Sequence, residues 1–334
     1  MPEIRQNIVT RDWVIIATER AKRPEDFVKR EQAKKDIPAF RKDCPFCPGN
    51  EDKTPDEIFR IGSGEQWQIR VIPNKFAALS REGKLERKIE GTKRVISGIG
   101  IHEVVVETPQ HNLTTALLEK DQIKNIFKTY KERYNTIYQK DERIKLVTIF
   151  KNHGEGAGTS LEHPHSQIIG TPVTPTHIRY RDEEALRYFD DTGECVFCKV
   201  LKDELNDGAR IILETKYFIS FIPYAALSPF HTWVFPKNHS SCFGTTPDEK
   251  MDDLAEIMKG TLGKIYYGLD NPDYNYVIRS NSEDGTNLEH FHWYISIVPR
   301  ISKMAGFELG SGMFINASLP EESAKFLRNI KYPG

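Results

Sequence analysis

Two histidines separated by a proline, in Leu161-Glu162-His163-Pro164-His165-Ser166-Gln167, offer imidazoles that can ligate a metal or attack an electrophile near neutral pH. A second string, Leu288-Glu289-His290-Phe291-His292, repeats the pattern. Each is preceded by a Cys-x-x-Cys pair, Cys44/Cys47 and Cys195/Cys198, and by a lone histidine, His111 and His239. The cysteine pairs are related by a shift of 151 residues and the histidine strings by one of 127, so a duplicated module is expected.

Thiolates and neutral imidazoles are the usual ligands of zinc, and four protein ligands make a structural rather than a catalytic site. The order of residues predicts one site from Cys44, Cys47, His111 and His163 and another from Cys195, Cys198, His239 and His290. Zinc is expected in both, with another divalent metal as the alternative in the second. The competing reading, a thioredoxin-like redox pair, does not need two histidines in the same order each time.

With His163 on a metal, His165 is left free. Alternate residues of a strand share a face, so the two rings can lie side by side with Pro164 pointing away. A neutral imidazole can attack phosphorus and form a phosphoramidate, which splits one displacement into two easier ones. Gly154, Gly156 and Gly158 allow the preceding backbone to approach a phosphate, while Ser160 and Gln167 can donate hydrogen bonds to its oxygens. In the second string Trp293-Tyr294 follows His292, so the Gln partner is missing and that copy is expected to be catalytically silent.

Strands must carry these groups. Apolar runs predict strands at Trp13–Ala17, Trp67–Pro73, Gly100–Glu107 and Leu146–Phe150, and a helix from about Glu119 to Lys140 whose apolar residues recur at helical spacing. The second half repeats the order, with strands near Ile211–Leu213, Phe218–Phe221, Thr232–Phe235 and Tyr274–Arg279 and a helix carrying Met251, Leu254, Ile257, Met258 and Leu262. The fold class is therefore α+β, two fused modules that each pack a helix on one face of an antiparallel sheet around a core of their own. Residues 1–175 would form the module with the catalytic motif and residues 185–334 the silent copy, with Pro172 and Pro175 at the boundary.

Bulk properties narrow the function. The 334 residues are 38% hydrophobic, enough for two ordinary domains, and 47 basic against 48 acidic residues give a net charge of −1. That balance removes the main electrostatic argument for binding nucleic acid. No apolar run is long enough to span a bilayer and the N-terminus has no signal-peptide pattern, so no membrane partner and a cytoplasmic location are expected. Five cysteines, four of them in Cys-x-x-Cys pairs, fit a reducing compartment, and Cys242 reads as a buried bystander.

At these motifs the chain resembles the galactose-1-phosphate uridylyltransferase family of the histidine-triad superfamily, over nearly its whole length. The resemblance rests on Asp12-Trp13-Val14-Ile15 through Arg20-Ala21-Lys22-Arg23-Pro24, Cys44-Pro45-Phe46-Cys47-Pro48-Gly49, Pro73-Asn74-Lys75-Phe76-Ala77-Ala78-Leu79 and His163-Pro164-His165-Ser166-Gln167. It implies that His165 carries the nucleotidyl group, that Gln167 and Ser160 contact the transferred phosphate, and that Arg20 and Arg23 reach the diphosphate. It further implies that Asn74, Lys75, Phe76 and Ala77 line the nucleoside pocket, with Asn152, Gly158 and Thr159 nearby. The implied partners are a nucleotide sugar or other nucleoside diphosphate donor and a phosphorylated acceptor, and family members are commonly homodimers.

Two departures bear on substrate. Ser166 stands where the uridylyltransferases usually have Gly, as it does in relatives including ADP-glucose phosphorylase, and Phe307 stands where a Tyr is usual, with no Gln among Gly310 to Leu319. Lys303, Phe307 and Glu308 are the acceptor-site candidates. The expected activity is transfer of a nucleoside monophosphate, UMP first, between a nucleotide sugar and a sugar 1-phosphate. Adenylyl transfer, of the ADP-glucose phosphorylase or adenylylsulfate type, is the alternative. Other readings are a dinucleotide hydrolase or phosphorylase using His165, and a zinc-stabilised nucleotide- or RNA-binding protein.

Overall fold

A computed structural model describes residues 1–17, 23–27, 37–64, 66–281 and 288–333 of the chain. The first half runs β1 (Glu3–Gln6), β2 (Trp13–Ile16), β3 (Phe59–Ser63), β4 (Gln66–Pro73), β5 (Arg87–Glu90), β6 (Lys93–Ile96), β7 (Ile101–Val106), α1 (Lys120–Lys140), β8 (Leu146–His153) and β9 (His165–Thr171). There follow α2 (Thr176–Thr192), α3 (Val196–Asp207), β10 (Ile211–Glu214), β11 (Phe218–Phe221), β12 (Thr232–Pro236), α4 (Met251–Gly268), β13 (Tyr274–Arg279), β14 (Tyr294–Pro299), α5 (Gly306–Ser311), β15 (Phe314–Asn316) and α6 (Pro320–Asn329).

Ten strands form one sheet in the order β10-β11-β12-β14-β13-β8-β9-β7-β4-β3. The order is palindromic: β3, β4, β7, β9 and β8 of the first half are mirrored by β10, β11, β12, β14 and β13 of the second. The halves meet at the centre, where β13 pairs antiparallel with β8 from Tyr274↔His153 to Ile278↔Ile149. A smaller sheet, β1-β2-β15, and the β5-β6 hairpin stand apart from it.

Helices α1 and α4 pack along each other on one face of the large sheet. Ile123, Ile126, Phe127, Tyr130, Tyr134 and Ile137 form the buried stripe of α1, spaced by three and four residues as an amphipathic helix requires. The helices straddle the β8–β13 seam, so the apolar cluster beneath them is shared by the halves and unites Ile126, Tyr130 and Ile149 with Met258, Tyr276 and Ile297. The sequence predicts separate cores; on this side the continuous sheet forbids them. The opposite face does carry two clusters, Cys44, Phe46, Ile72 and Val106 in one and Phe197, Trp233, Phe235 and Tyr294 in the other.

The proline-marked boundary holds a helix that sequence periodicity does not reveal. Pro175 precedes the first turn of α2, and Gly193, in the left-handed region, ends it. Ala185 is the one residue of α2 that is fully buried, so its apolar stripe is too thin to read as a helix. No helix among the described residues is long and apolar enough to cross a membrane.

Candidate active site and metal centres

On β9 the side chains alternate. His165 and Gln167 face away from the helices, while Ile168 enters the cluster beneath α1. His163 lies in the bend just before the strand, so the two histidines do not share a strand face as their spacing suggests; a hydrogen bond from the His165 ring to the His163 carbonyl links them instead.

His163 is fully buried, and its Nε2 lies 2.8 Å from the Thr108 carbonyl oxygen. A carbonyl only accepts, so Nε2 carries the hydrogen and Nδ1 presents its lone pair. That lone pair faces Cys44 Sγ at 3.7 Å and Cys47 Sγ at 3.6 Å, and His111 Nδ1 lies 3.5 Å from Cys47 Sγ. Zinc–sulfur and zinc–nitrogen bonds at a tetrahedral angle place such atoms about 3.6 Å apart, so the donor set and its spacing fit zinc. All four residues are buried, and their ligand atoms lie within 4.8 Å of one another. Burial pushes the Cys44 thiol up and the His163 imidazole down to about 4, so a bare site favours uncharged ligands until a cation arrives.

The same argument fixes the tautomer of His165. Its Nδ1 lies 2.9 Å from the His163 carbonyl oxygen and must donate, which leaves the lone pair on Nε2. Nε2 has no hydrogen-bond partner among the described residues. Burial holds His165 below the ordinary imidazole pKa against the bond to His163, and the nearby Lys151 ammonium lowers it further while Glu107 opposes that. The ring is therefore neutral near pH 7, with Phe46 against it edge-on at 5.4 Å.

Neighbouring strands deliver the remaining groups. Phe150 on β8 pairs with Gln167, so Asn152 comes alongside His165 on the same face. Asn152 Oδ1 accepts a bond of 2.7 Å from Asn275 of β13, and Asn275 also donates to the Ala157 carbonyl at 2.9 Å. In the glycine loop, Gly154 and Gly158 take φ of 84° and 87°. Gly156 N–H donates to Asp273 Oδ2 at 2.6 Å, so the second half of the chain grips the loop of the first. Ser160 is exposed at the end of this loop, and Thr159 donates its hydroxyl to the Leu161 carbonyl at 3.1 Å.

Gln167 brings in a residue that the sequence motifs do not include. His102, on β7, has its Nε2 2.7 Å from Gln167 Oε1 and its Nδ1 3.2 Å from the Ala78 amide nitrogen. The backbone of His102 also accepts from Asn74 N–H at 2.8 Å, and Asn74 Oδ1 accepts from Phe76 N–H at 2.9 Å. Lys75, Phe76 and Ala77 are exposed on the loop so formed, Phe76 by 85%. His102 lies in a strand that otherwise reads as core, and its only signal is a polar residue on the face of β7 opposite the helices.

Ser166 points the other way. Its hydroxyl lies 2.7 Å from that of Tyr130 under α1, where Tyr130 also reaches Glu107 at 2.9 Å and Tyr276 of the second half at 2.7 Å. Glu107 in turn pairs with the buried ammonium of Lys151, which also approaches the His165 carbonyl at 3.4 Å. Ser166 thus joins a buried network behind the site and does not face the substrate side.

The second metal cluster departs from expectation. Cys195, Cys198 and His239 come together, with His239 Nδ1 3.2 Å from Cys198 Sγ and its Nε2 3.0 Å from the Leu288 carbonyl oxygen. The predicted fourth ligand, His290, instead sets Nε2 3.2 Å from Asp182 Oδ1, and His292 Nδ1 lies 3.4 Å from Cys198 Sγ. Phe291, between them, packs on Phe197 in the apolar cluster.

Strand register explains the exchange. The pairing of β7 with β9 and that of β12 with β14 superpose by a shift of 129 in both strands, which carries Glu103↔Ile168 onto Thr232↔Ile297 and His102 onto His231. His163 then corresponds to His292, His165 to the buried Tyr294, and Gln167 to Ser296. The textual match of the two histidine strings is two residues out of step with the sheet. His231 Nε2 lies 2.8 Å from Ser296 Oγ, mirroring His102 on Gln167.

Residues 1–175 match the family described as galactose-1-phosphate uridyl transferase, N-terminal domain. The chain is 39% identical to ADP-glucose phosphorylase of Arabidopsis thaliana over 98% of its length and 93% of that protein's. The chain belongs to the galactose-1-phosphate uridylyltransferase family. A galactose-1-phosphate uridylyltransferase of Thermotoga maritima is 28% identical over 99% of both chains. Among solved structures, an Arabidopsis ADP-glucose phosphorylase with bound ADP-glucose superposes with a TM-score of 0.83 at 34% identity, covering 99% of each chain. A uridylyltransferase superposes with a TM-score of 0.75 at 26% identity over 98% of this chain and 97% of that one.

Membership makes this chain a nucleotidyltransferase, an enzyme of the kind the sequence motifs imply. Not every family position is gathered at the site. Arg20 lies outside the described residues, and Arg23 is exposed with its backbone N–H bonded to Asp26 at 2.9 Å. Lys303 and Phe307 are exposed beside and on α5, which packs on β15 of the small sheet. Glu308 Oε2 accepts from the Ala305 N–H at 2.9 Å and so caps its own helix.

Proposed function

We propose that this enzyme transfers a nucleoside monophosphate from a nucleotide sugar through a covalent bond to His165. The observation that carries this reading is the Nδ1 bond of His165 to the His163 carbonyl, which leaves Nε2 as the nucleophile. Nε2 bonds to the α-phosphorus, the bond from that phosphorus to the bridging oxygen breaks, and sugar 1-phosphate departs. A phosphorylated acceptor, or phosphate itself, then attacks the same phosphorus and frees His165. Positive charge that develops on the ring is stabilised at Nδ1–H by the carbonyl.

Gln167 and Ser160 would donate to the phosphoryl oxygens, with Asn152 and the Gly158–Thr159 turn alongside. Asn74, Lys75, Phe76 and Ala77 would hold the nucleoside, and Arg20 and Arg23 the diphosphate. Lys303, Phe307 and Glu308 are the residues we assign to the acceptor. Zinc on Cys44, Cys47, His111 and His163 would have a structural role: it would lock the His163 backbone that orients His165. A second metal would be held by Cys195, Cys198, His239 and His292.

ADP-glucose is the donor we place first, because the relative at 39% identity is an ADP-glucose phosphorylase and Ser166 and Phe307 depart from the uridylyltransferase pattern. UDP-glucose comes second, supported by the family match and by the Thermotoga relative. Metal-loaded protein given each donor labelled at the α-phosphorus, without acceptor, should retain acid-labile label from one of them. His165→Ala should retain none. Label persisting in that variant, or absent from wild type with both donors, overturns the proposal.

A further inference from the structure

To act as a phosphate donor, Gln167 must turn the NH2 end of its amide toward the phosphate, and its own side chain does not dictate which end faces out. An amide that turned its oxygen outward would repel an anion. His102 decides the matter. The Ala78 N–H, 3.2 Å away, can only donate, so His102 Nδ1 carries the lone pair and Nε2 carries the hydrogen. Nε2 lies 2.7 Å from Gln167 Oε1 and 3.0 Å from Asn74 Nδ2, an amide nitrogen that can only donate, so the hydrogen on Nε2 is received by the Gln167 oxygen.

We propose that His102 is a positioning residue that fixes the Gln167 amide with its NH2 toward the transferred phosphoryl group. The assignment rests on the reading of Gln167 given above and extends it to a residue that touches no substrate. His102 is itself held in place by the 74–78 loop, through the Ala78 and Asn74 backbone bonds. The internal repeat offers a contrast. His231 holds the corresponding place in the second half, but its partner there is the hydroxyl of Ser296, which has no orientation to fix.

The test is a double-mutant cycle on the rate at which metal-loaded protein acquires label from whichever of ADP-glucose and UDP-glucose marks wild type. His102→Phe, which keeps a ring but removes donor and acceptor, should lower that rate about tenfold, the size of one lost hydrogen bond, with KM for the donor little changed. In a Gln167→Ala background the same substitution should cost nothing more. His102→Gln can still accept from Ala78 and donate to Gln167, and should recover most of the rate, which also covers a His102→Phe protein that fails to fold.

An equal loss from His102→Phe with and without Gln167 would make His102 merely structural and overturn the inference, as would full activity in His102→Phe or no recovery in His102→Gln. A Gln167→Ala protein as fast as wild type would instead overturn the role of Gln167, and a wild type unlabelled by both donors would overturn the function together with the inference that rests on it.

Discussion

Asp273, immediately before the second half's central strand, accepts the backbone N–H of Gly156 in the loop of the first half at 2.6 Å. The same carboxylate fills the space beside Gly154, where an added Cβ would lie 1.8 Å from Asp273 Oδ1. Gly154 also has φ of 84°, a conformation that disfavours side chains. Gly154→Ala is therefore expected to displace the loop and slow nucleotidyl transfer by about a hundredfold, while Asp273→Ala, which removes one charge-assisted bond, costs about tenfold. Single-turnover labelling of His165 measures both, and a Gly154→Ala protein with wild-type rate would show that the loop is not part of the site.

Metal counting tests the register of the repeat. Wild type should carry two metals per chain, His292→Ala one, and His290→Ala two, because His290 bonds to Asp182 rather than facing the cysteines. Elemental analysis of dialysed protein decides it. A single metal in His290→Ala would restore the ligand set expected from sequence.

Behind the site, Lys151 and Glu107 form an ion pair with both side chains buried. Lys151→Met leaves a buried carboxylate without its cation and should lower stability by about 3–5 kcal/mol in a denaturant titration. Replacing both groups, Lys151→Met with Glu107→Gln, should recover much of that loss. If the double variant were no better than the single, the pair would not be what holds this region.

Glu321 on α6 accepts from Arg5 of β1 at 2.9 Å and from Arg210 at 2.9 Å. Burial alone would raise its carboxyl, but bonds from its own backbone N–H and from Arg5 hold it below the ordinary 4.5. A depressed folded-state pKa stabilises above the unfolded value, and that contribution is lost as pH falls through the folded one. Wild type should therefore melt higher than Glu321→Gln near neutrality, and the gap should close as pH falls below the ordinary 4.5 and through the lowered folded-state value. A gap that persisted in acid would exclude the charge as its source.

Much of this is legible from the chain. Strands such as Trp67–Pro73 and the helix carrying Ile123 to Ile137 announce themselves because burial on one face leaves a period in the sequence. Cys44, Cys47, His111 and His163 can be named as a set because metal ligation restricts residue types so sharply. What escapes depends on register. His292 rather than His290 approaches the cysteines because the second strand enters the sheet two residues out of step with the text, and a short motif carries no record of hydrogen-bond partners. Likewise His102 reads, with Glu103, as a polar interruption of an apolar strand, since the sequence does not say which neighbour lies across from it. Ser166 departs from the family pattern within the histidine motif itself, yet one residue of strand alternation sends it under α1 and away from the substrate side.

The seam at β8 and β13 sets how this protein could be divided. A fragment ending near residue 175 would keep His165, Gln167 and the first metal ligands, yet it would expose the edge of β8, strip Asp273 and Asn275 from the glycine loop and remove Tyr276 from the network beneath His165. An open apolar edge invites another copy to pair with it. The second half is thus part of the scaffold on which the site proposed in the first half is assembled, and dividing the chain at the seam would take that support away.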